Sequence, residues 1–297
     1  MLRRLKAHRS VGVATAVVGV LVALVTPTGA TAHSGDFAKF NYCPSTNAEV
    51  FKCLYSVTSS GEIVLGKKKT PITNAVTLQG GVSKQEGTEA EGFPSRFFGA
   101  TSGGETLSKA AQTVPGGLLG IVPPEKSPPL VRLLLKYFES GLLEVKATLE
   151  LAKPASEIKV SEFNLSLEEG VALKLPVKVH LENAFLGSSC YVGSSSSPLV
   201  WNLTSGTTSP PKPNEPIKGS GGELNFKDGF EIAEITGNSL VDNVWSAPAA
   251  AGCGGILSFL VDPVINSMIG LPATSGNNTA ILNNTIDLAQ ATDVNAH

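Results

Sequence analysis

Apolar and polar residues alternate through the middle of the chain with the period of a β-strand. Leu143, Val145, Ala147, Leu149 and Leu151 are separated by Glu144, Lys146, Thr148 and Glu150, which predicts one buried and one wet face. A second run repeats this over twelve positions. Val171, Leu173, Leu175, Val177, Val179 and Leu181 share one side, and Ala172, Lys174, Pro176, Lys178, His180 and Glu182 the other. Pro176 has no N–H to give to a ladder, which predicts an edge strand or a break at that point. Between the two runs, Ile158 and Val160 are followed by Phe163, Leu165 and Leu167, so the apolar phase slips by one, as at a β-bulge. Leu199, Trp201 and Leu203 predict a further short strand. One-sided strands joined by turn residues point to a mainly β fold, an antiparallel β-sandwich or open barrel with two or three short helices.

The flanking regions give weaker patterns. Residues 37–42, 62–65 and 71–78 read as strands, the last with Ile72, Val76 and Leu78 on one side, and Gly66 to Pro71 reads as a turn whose Lys67 to Lys69 are solvated. Residues 83–92 are polar and read as an exposed loop. The proline- and glycine-rich stretch 115–129 suggests a boundary, and an apolar helix follows over 130–138, with Pro129 in its first turn and Gly141 after its end. Residues 205–222 predict an exposed irregular loop, and Asp228-Gly229 between Phe226 and Phe230 predicts a tight hairpin turn. Residues 256–269 are apolar and of helical length, but Asp262-Pro263 interrupts them, so Asp262 is expected to cap a second short helix. Residues 279–288 predict a last strand, with the residues after it fraying.

The first 32 residues read as a signal peptide. Arg3, Arg4, Lys6 and Arg9 precede an apolar run over 11–25, and Ala30-Thr31-Ala32 offers a small-residue cleavage site after Ala32. Two further regions are expected after it: an N-terminal β-rich region over 33–128 and a main β-sandwich domain over 129–297, either separate or continuous. Cleavage also alters the charge. Losing four of the 23 basic residues leaves 19 against 25 acidic ones, a net charge near −6. An acidic chain is a poor match for nucleic acid, and no integral membrane span is expected after processing. The four cysteines, Cys43, Cys53, Cys190 and Cys253, all lie beyond the cleavage site, which implies two disulfides. Of the three pairings, Cys43 with Cys53 and Cys190 with Cys253 keeps each bridge within one stretch.

Catalytic motifs are missing: there is no GxSxG, HExxH, P-loop or helix-opening GxGxxG. No catalytic, cofactor-binding or metal-ligating residue is assigned, and no cofactor is expected. His180 is the one internal histidine of the processed chain and is placed on a solvent face. Glu144 with Glu150, or Glu231 with Glu234, would be needed as facing carboxylates for hydrolysis. Leu271-Pro272-Ala273-Thr274-Ser275 approaches a sortase signal but has serine in the glycine position and reads as a turn. With aromatics at 6% of the chain and Trp201 alternating with core positions, a sugar-binding platform has little to build on.

The stretches GSSCYVG at 187–193, LTSGTTSPP at 203–211, GCGG at 252–255 and SGNNTAILN at 275–283 resemble a group of uncharacterised secreted proteins of actinobacteria. The resemblance implies export and brings no activity with it. Three functions are compatible with these patterns. The first is an extracellular or cell-wall-associated, non-enzymatic structural or binding module. The second is a carrier of an apolar ligand in a cavity between the sheet and the helices at 130–138 and 256–269. The third is a carboxylate-dependent hydrolase. Oligomeric state leaves no mark in the sequence.

Overall fold

The sheet is assembled around one long strand, β1 (Lys52–Leu65). On one edge it pairs with β14 (Thr279–Gln290). On the other edge β3 (Val76–Gln85) pairs its first half, and β2 (Lys68–Pro71) folds back along its last four residues. The computed structural model describes residues 32–117, 129 and 144–297. The expected signal peptide and the helix at 130–138 fall outside the described residues, and Ala32 alone of the former is described.

Among the described residues fourteen strands form one sheet in which every pairing is antiparallel. The remaining strands are β4 (Ser95–Gly99), β5 (Gln112–Thr113), β6 (Lys146–Leu151), β7 (Lys159–Val160), β8 (Leu173–Glu182), β9 (Tyr191–Val192) and β10 (Leu199–Leu203). They are followed by β11 (Glu223–Lys227), β12 (Ile232–Asp242) and β13 (Ala250–Ala251). The path runs β11-β12-β14-β1-β3-β4-β7-β8-β6-β5, with β10 and β9 also on β8, and β13 on β9. The sheet curls over itself and is tied at two corners. Thr204, just past β10, exchanges both backbone hydrogen bonds with Val241 of β12 at 2.8 and 2.9 Å. At the other corner Gln112 of β5 holds the link between β2 and β3 through the Thr73 and Asn74 N–H groups. Residues 33–297 thereby make one compact unit.

The enclosed face carries the main core, in which Ile158, Val177, Leu199, Trp201 and Leu203 are fully buried. The alternation over β6, β8 and β10 places Leu149, Leu173, Leu175, Val177, Val179, Leu181, Leu199, Trp201 and Leu203 on the buried side as the sequence predicts, but Val171 precedes the strand and is exposed, and Ala172, Thr148 and Pro176, expected on the wet side, are buried. A smaller core covers the outside of β1, β12 and β14. There Phe37 and Phe40 pack with Cys53, Ile232, Ala289 and Val294. With both faces covered, neighbours such as Cys53 and Leu54 are both buried, so β1 has no clean alternation to read.

Several sequence expectations are corrected. Residues 35–40 form a 3-10 turn and not a strand, because Phe37 and Phe40, three apart, then reach the same hydrophobic cover. The apolar slip at Phe163, Leu165 and Leu167 is no bulge but a short helix, α1 (Glu162–Leu167). Its start is fixed by the Ser161 hydroxyl, which accepts the Asn164 N–H at 3.0 Å, a cap that contributes about 1 kcal/mol. Pro176 is interior to the sheet. Its carbonyl accepts the Ala152 N–H on the side where β8 changes partner from β7 to β6, so a missing donor there interrupts no ladder. Gly66 and Lys67 alone make the turn that was expected over 66–71, since Lys68–Pro71 is β2. The segment 72–75 links β2 to β3, with Ile72 buried like Val76 and Leu78, and Ser83 to Gln85 still belong to β3.

The later chain departs from expectation as well. The loop 205–222 is not freely exposed: Ser205 and Thr208 are buried, and Ser220 pairs with Ser239. Between β11 and β12 the hairpin needs four residues, with Gly229 at φ 67°, where a two-residue turn was expected. A single helix, α2 (Ser258–Ile269), runs through Pro263. The residues after β14 dock as α3 (Ala291–Val294), with Val294 buried, and the His297 ring stacks on Phe37 at 4.1 Å.

Asp242 sits almost fully buried at the end of β12, where its carboxylate accepts the Asn202 N–H at 2.6 Å and the Val244 N–H at 2.8 Å. Burial pushes its pKa above the ordinary aspartate value, against the pull of those two donors. A carboxyl that holds its proton more firmly folded than unfolded adds most stability at low pH, and loses it as pH rises through the folded pKa. The stability advantage of the wild type over Asp242→Asn is therefore expected to shrink as pH rises above the ordinary aspartate pKa in urea titrations, and a widening gap would refute the assignment.

Candidate functional site

An apolar pocket opens between the inner face of the sheet and α2. Ile63 and Leu65 of β1, Ala147 and Leu149 of β6, and Val179 and Leu181 of β8 form its sheet side. Ile265, Met268 and Ile269 of α2 close it from the other side. Val114, Gly117 and Val145 also line it. Only Lys68, Thr70 and Gln112 among the described lining residues have polar side chains. The free space traced by the centre of a water-sized sphere is about 60 Å³, room for a few waters or a short aliphatic segment. A second, smaller void of about 30 Å³ deeper in the core shares Leu149 as a wall.

The helix is aimed by its polar residues. Asn266 accepts the Ala250 N–H at 2.7 Å and donates to the Ala250 carbonyl at 3.0 Å. Four residues earlier, on the same face, Asp262 accepts the N–H groups of Cys253 at 2.7 Å and Gly252 at 3.2 Å. Asp262 is therefore not the cap of a second helix. It fastens α2 to the strand end that carries the Cys190–Cys253 disulfide, and Cys43 is joined to Cys53, both pairings as expected from the sequence. With that face anchored, Ile265 and Ile269 turn inward, while Phe259, Leu260 and Val264 remain exposed beside Ile256 and Leu257. Pro263 leaves a carbonyl without its helical partner on this outer side, where water reaches it.

The polar residues of the pocket differ in how fully they are engaged. Gln112 is saturated: besides accepting from Thr73 and Asn74 at 2.8 and 3.0 Å, it donates to the Asn74 and Ala110 carbonyls at 2.7 and 3.0 Å. Lys68 and Thr70 stand opposite Leu65 and Ile63 in the β1–β2 ladder, so both project from the inner face of that ribbon. Lys69 points the other way and pairs with Glu62 at 2.5 Å. Burial holds the Lys68 ammonium below the ordinary lysine pKa. Neither Lys68 nor Gln112 is marked out by the sequence; the strand period would have found Lys68 only with β2 already known.

The residues weighed for catalysis lie elsewhere and are otherwise engaged. His180 is not on an open solvent face: its ring stacks on Tyr191 at 4.4 Å and its side chain is 13% exposed. Its Nδ1 is 3.7 Å from Glu150 and 4.0 Å from Glu182, and no serine hydroxyl bonds to its buried Nε2. Glu150 also holds Lys178 at 3.0 Å. Glu144 lies two residues ahead of β6 and six ahead of Glu150, about 20 Å of extended chain, beyond the separation of a glycosidase pair. Glu231 meets His297 at 2.8 Å and Glu234 meets Lys227 at 2.5 Å. Trp201 and Trp245 are both buried, 5.8 Å apart, and offer no sugar platform. Among the described residues no cluster of three metal-ligating side chains occurs, and no helix is long and apolar enough to cross a membrane.

No protein-family model, curated protein or solved structure matches the chain. The pocket's own geometry thus has to carry the functional reading.

Proposed function

We propose that the protein is an exported, non-enzymatic binding module that carries a single-chain apolar ligand in the pocket between the sheet and α2. The observation that carries this reading is the pocket wall, apolar on both the sheet side and the helix side, with Lys68, Thr70 and Gln112 as its polar side chains among the described lining residues. Each methylene moved from water into such a slot contributes about 0.8 kcal/mol, so a chain of moderate length binds without any reacting group nearby. Two disulfides support export, because such bridges persist in oxidising compartments. The basic, apolar and small-residue order of the first 32 residues supports it too, as does the resemblance to secreted actinobacterial proteins.

Native mass spectrometry of the protein purified from its own culture fluid tests the reading. The expected result is a processed chain of about 265 residues with both bridges closed and a ligand of lipid mass attached. A bare chain that also shows no heat of binding with octanoate or octanol would overturn it.

A further inference from the structure

Resting on the carrier reading above, we infer that Lys68 is the head-group contact of the pocket, and that the ligand is a short aliphatic chain ending in a single anionic group, of which a carboxylate of about eight carbons is the simplest.

The argument begins with position. Lys68 is the first residue of β2, directly after the Gly66-Lys67 turn, and shares the inner face with Thr70 one step further in. That turn rests against the end of α2, where the Lys67 N–H donates to the Ile269 carbonyl at 2.6 Å. Lys68 thus stands at one end of the slot, between the turn and the helix, with the aliphatic walls of β6 and β8 beyond it. A chain lying along those walls would end at the ammonium.

Charge gives the second part. The described pocket lining has no carboxylate, and among the described residues Lys68 forms no ion pair, whereas its neighbour Lys69 has Glu62. Gln112 has its amide fully used by backbone groups and cannot act as a competing anchor. A half-buried cation in an apolar wall is satisfied best by an anion arriving with the ligand, since the surrounding apolar groups strengthen that attraction. A neutral chain would bury the same methylenes and leave the ammonium uncompensated.

The experiment uses the full processed protein, stripped of bound ligand, and measures the binding of octanoate and of octanol by titration calorimetry. The wild type is expected to prefer the acid about tenfold. Lys68→Met keeps the length and apolar stem, and is expected to lose that preference by weakening the acid alone; Lys68→Arg retains it. Equal binding of octanoate by Lys68→Met and the wild type overturns the head-group role while leaving the pocket reading intact. Failure of the wild type to bind either compound overturns the pocket reading itself.

Discussion

Replacing Cys190 and Cys253 together by serine is expected to lower stability by about 4 kcal/mol, the chain-entropy effect of opening a loop of this length. The bridge spans 63 residues and joins the stretch before β9 to the loop that α2 grips through Asp262 and Asn266. For a chain of this size the change amounts to roughly 10 °C in melting temperature, measurable by calorimetry. Ligand affinity falls with it, because the α2 wall of the pocket is anchored through Cys253. The shorter Cys43–Cys53 link closes only ten residues under the outer cover, and its removal costs about 3 kcal/mol without touching the pocket. Equal loss of binding from the two double variants would contradict the proposed anchoring.

Filling the pocket is expected to separate binding from stability. Ala147 lines the slot from β6, between Gln112 of β5 and Leu181 of β8, and keeps part of its surface free. Ala147→Leu puts three carbons where two or three methylenes of ligand would lie, so affinity for octanoate should fall roughly 30-fold. The melting temperature should hold or rise, since the added carbons occupy otherwise empty apolar space. Undiminished affinity in a folded variant would place the ligand elsewhere.

How much of this was legible beforehand follows from which faces are covered. β6, β8 and β10 each have one face in the main core, so their alternation, the buried Trp201 and the β class could be read directly. β1 could not, because the terminal 3-10 turn and α3 cover its outer side and erase the contrast between alternate residues. α1 misled for the reverse reason. Three apolar residues two apart imitate a strand, yet Leu167 is exposed, and the informative signal was Ser161 placed to cap Asn164. For the site, the α2 stretch was recognised as apolar and of helical length, and the disulfide pairing followed from spacing. The role of Asp262 did not, since a carboxylate ahead of proline looks like a helix cap until the loop it grips is known. Lys68 disappeared into a run of three lysines, whose opposite orientations depend on a four-residue strand too short to show a period.

β14 lies between β1 and β12, and Lys39 reaches across 248 positions to Asp287. Such distant neighbours make the sheet a slow structure to nucleate: no early segment can close the layer by local pairing, and the inner strands wait for a partner that emerges last. The same arrangement keeps a partly synthesised chain open and threadable, and it makes the completed sheet all-or-none, since loss of that one strand strips both its neighbours of an edge at once.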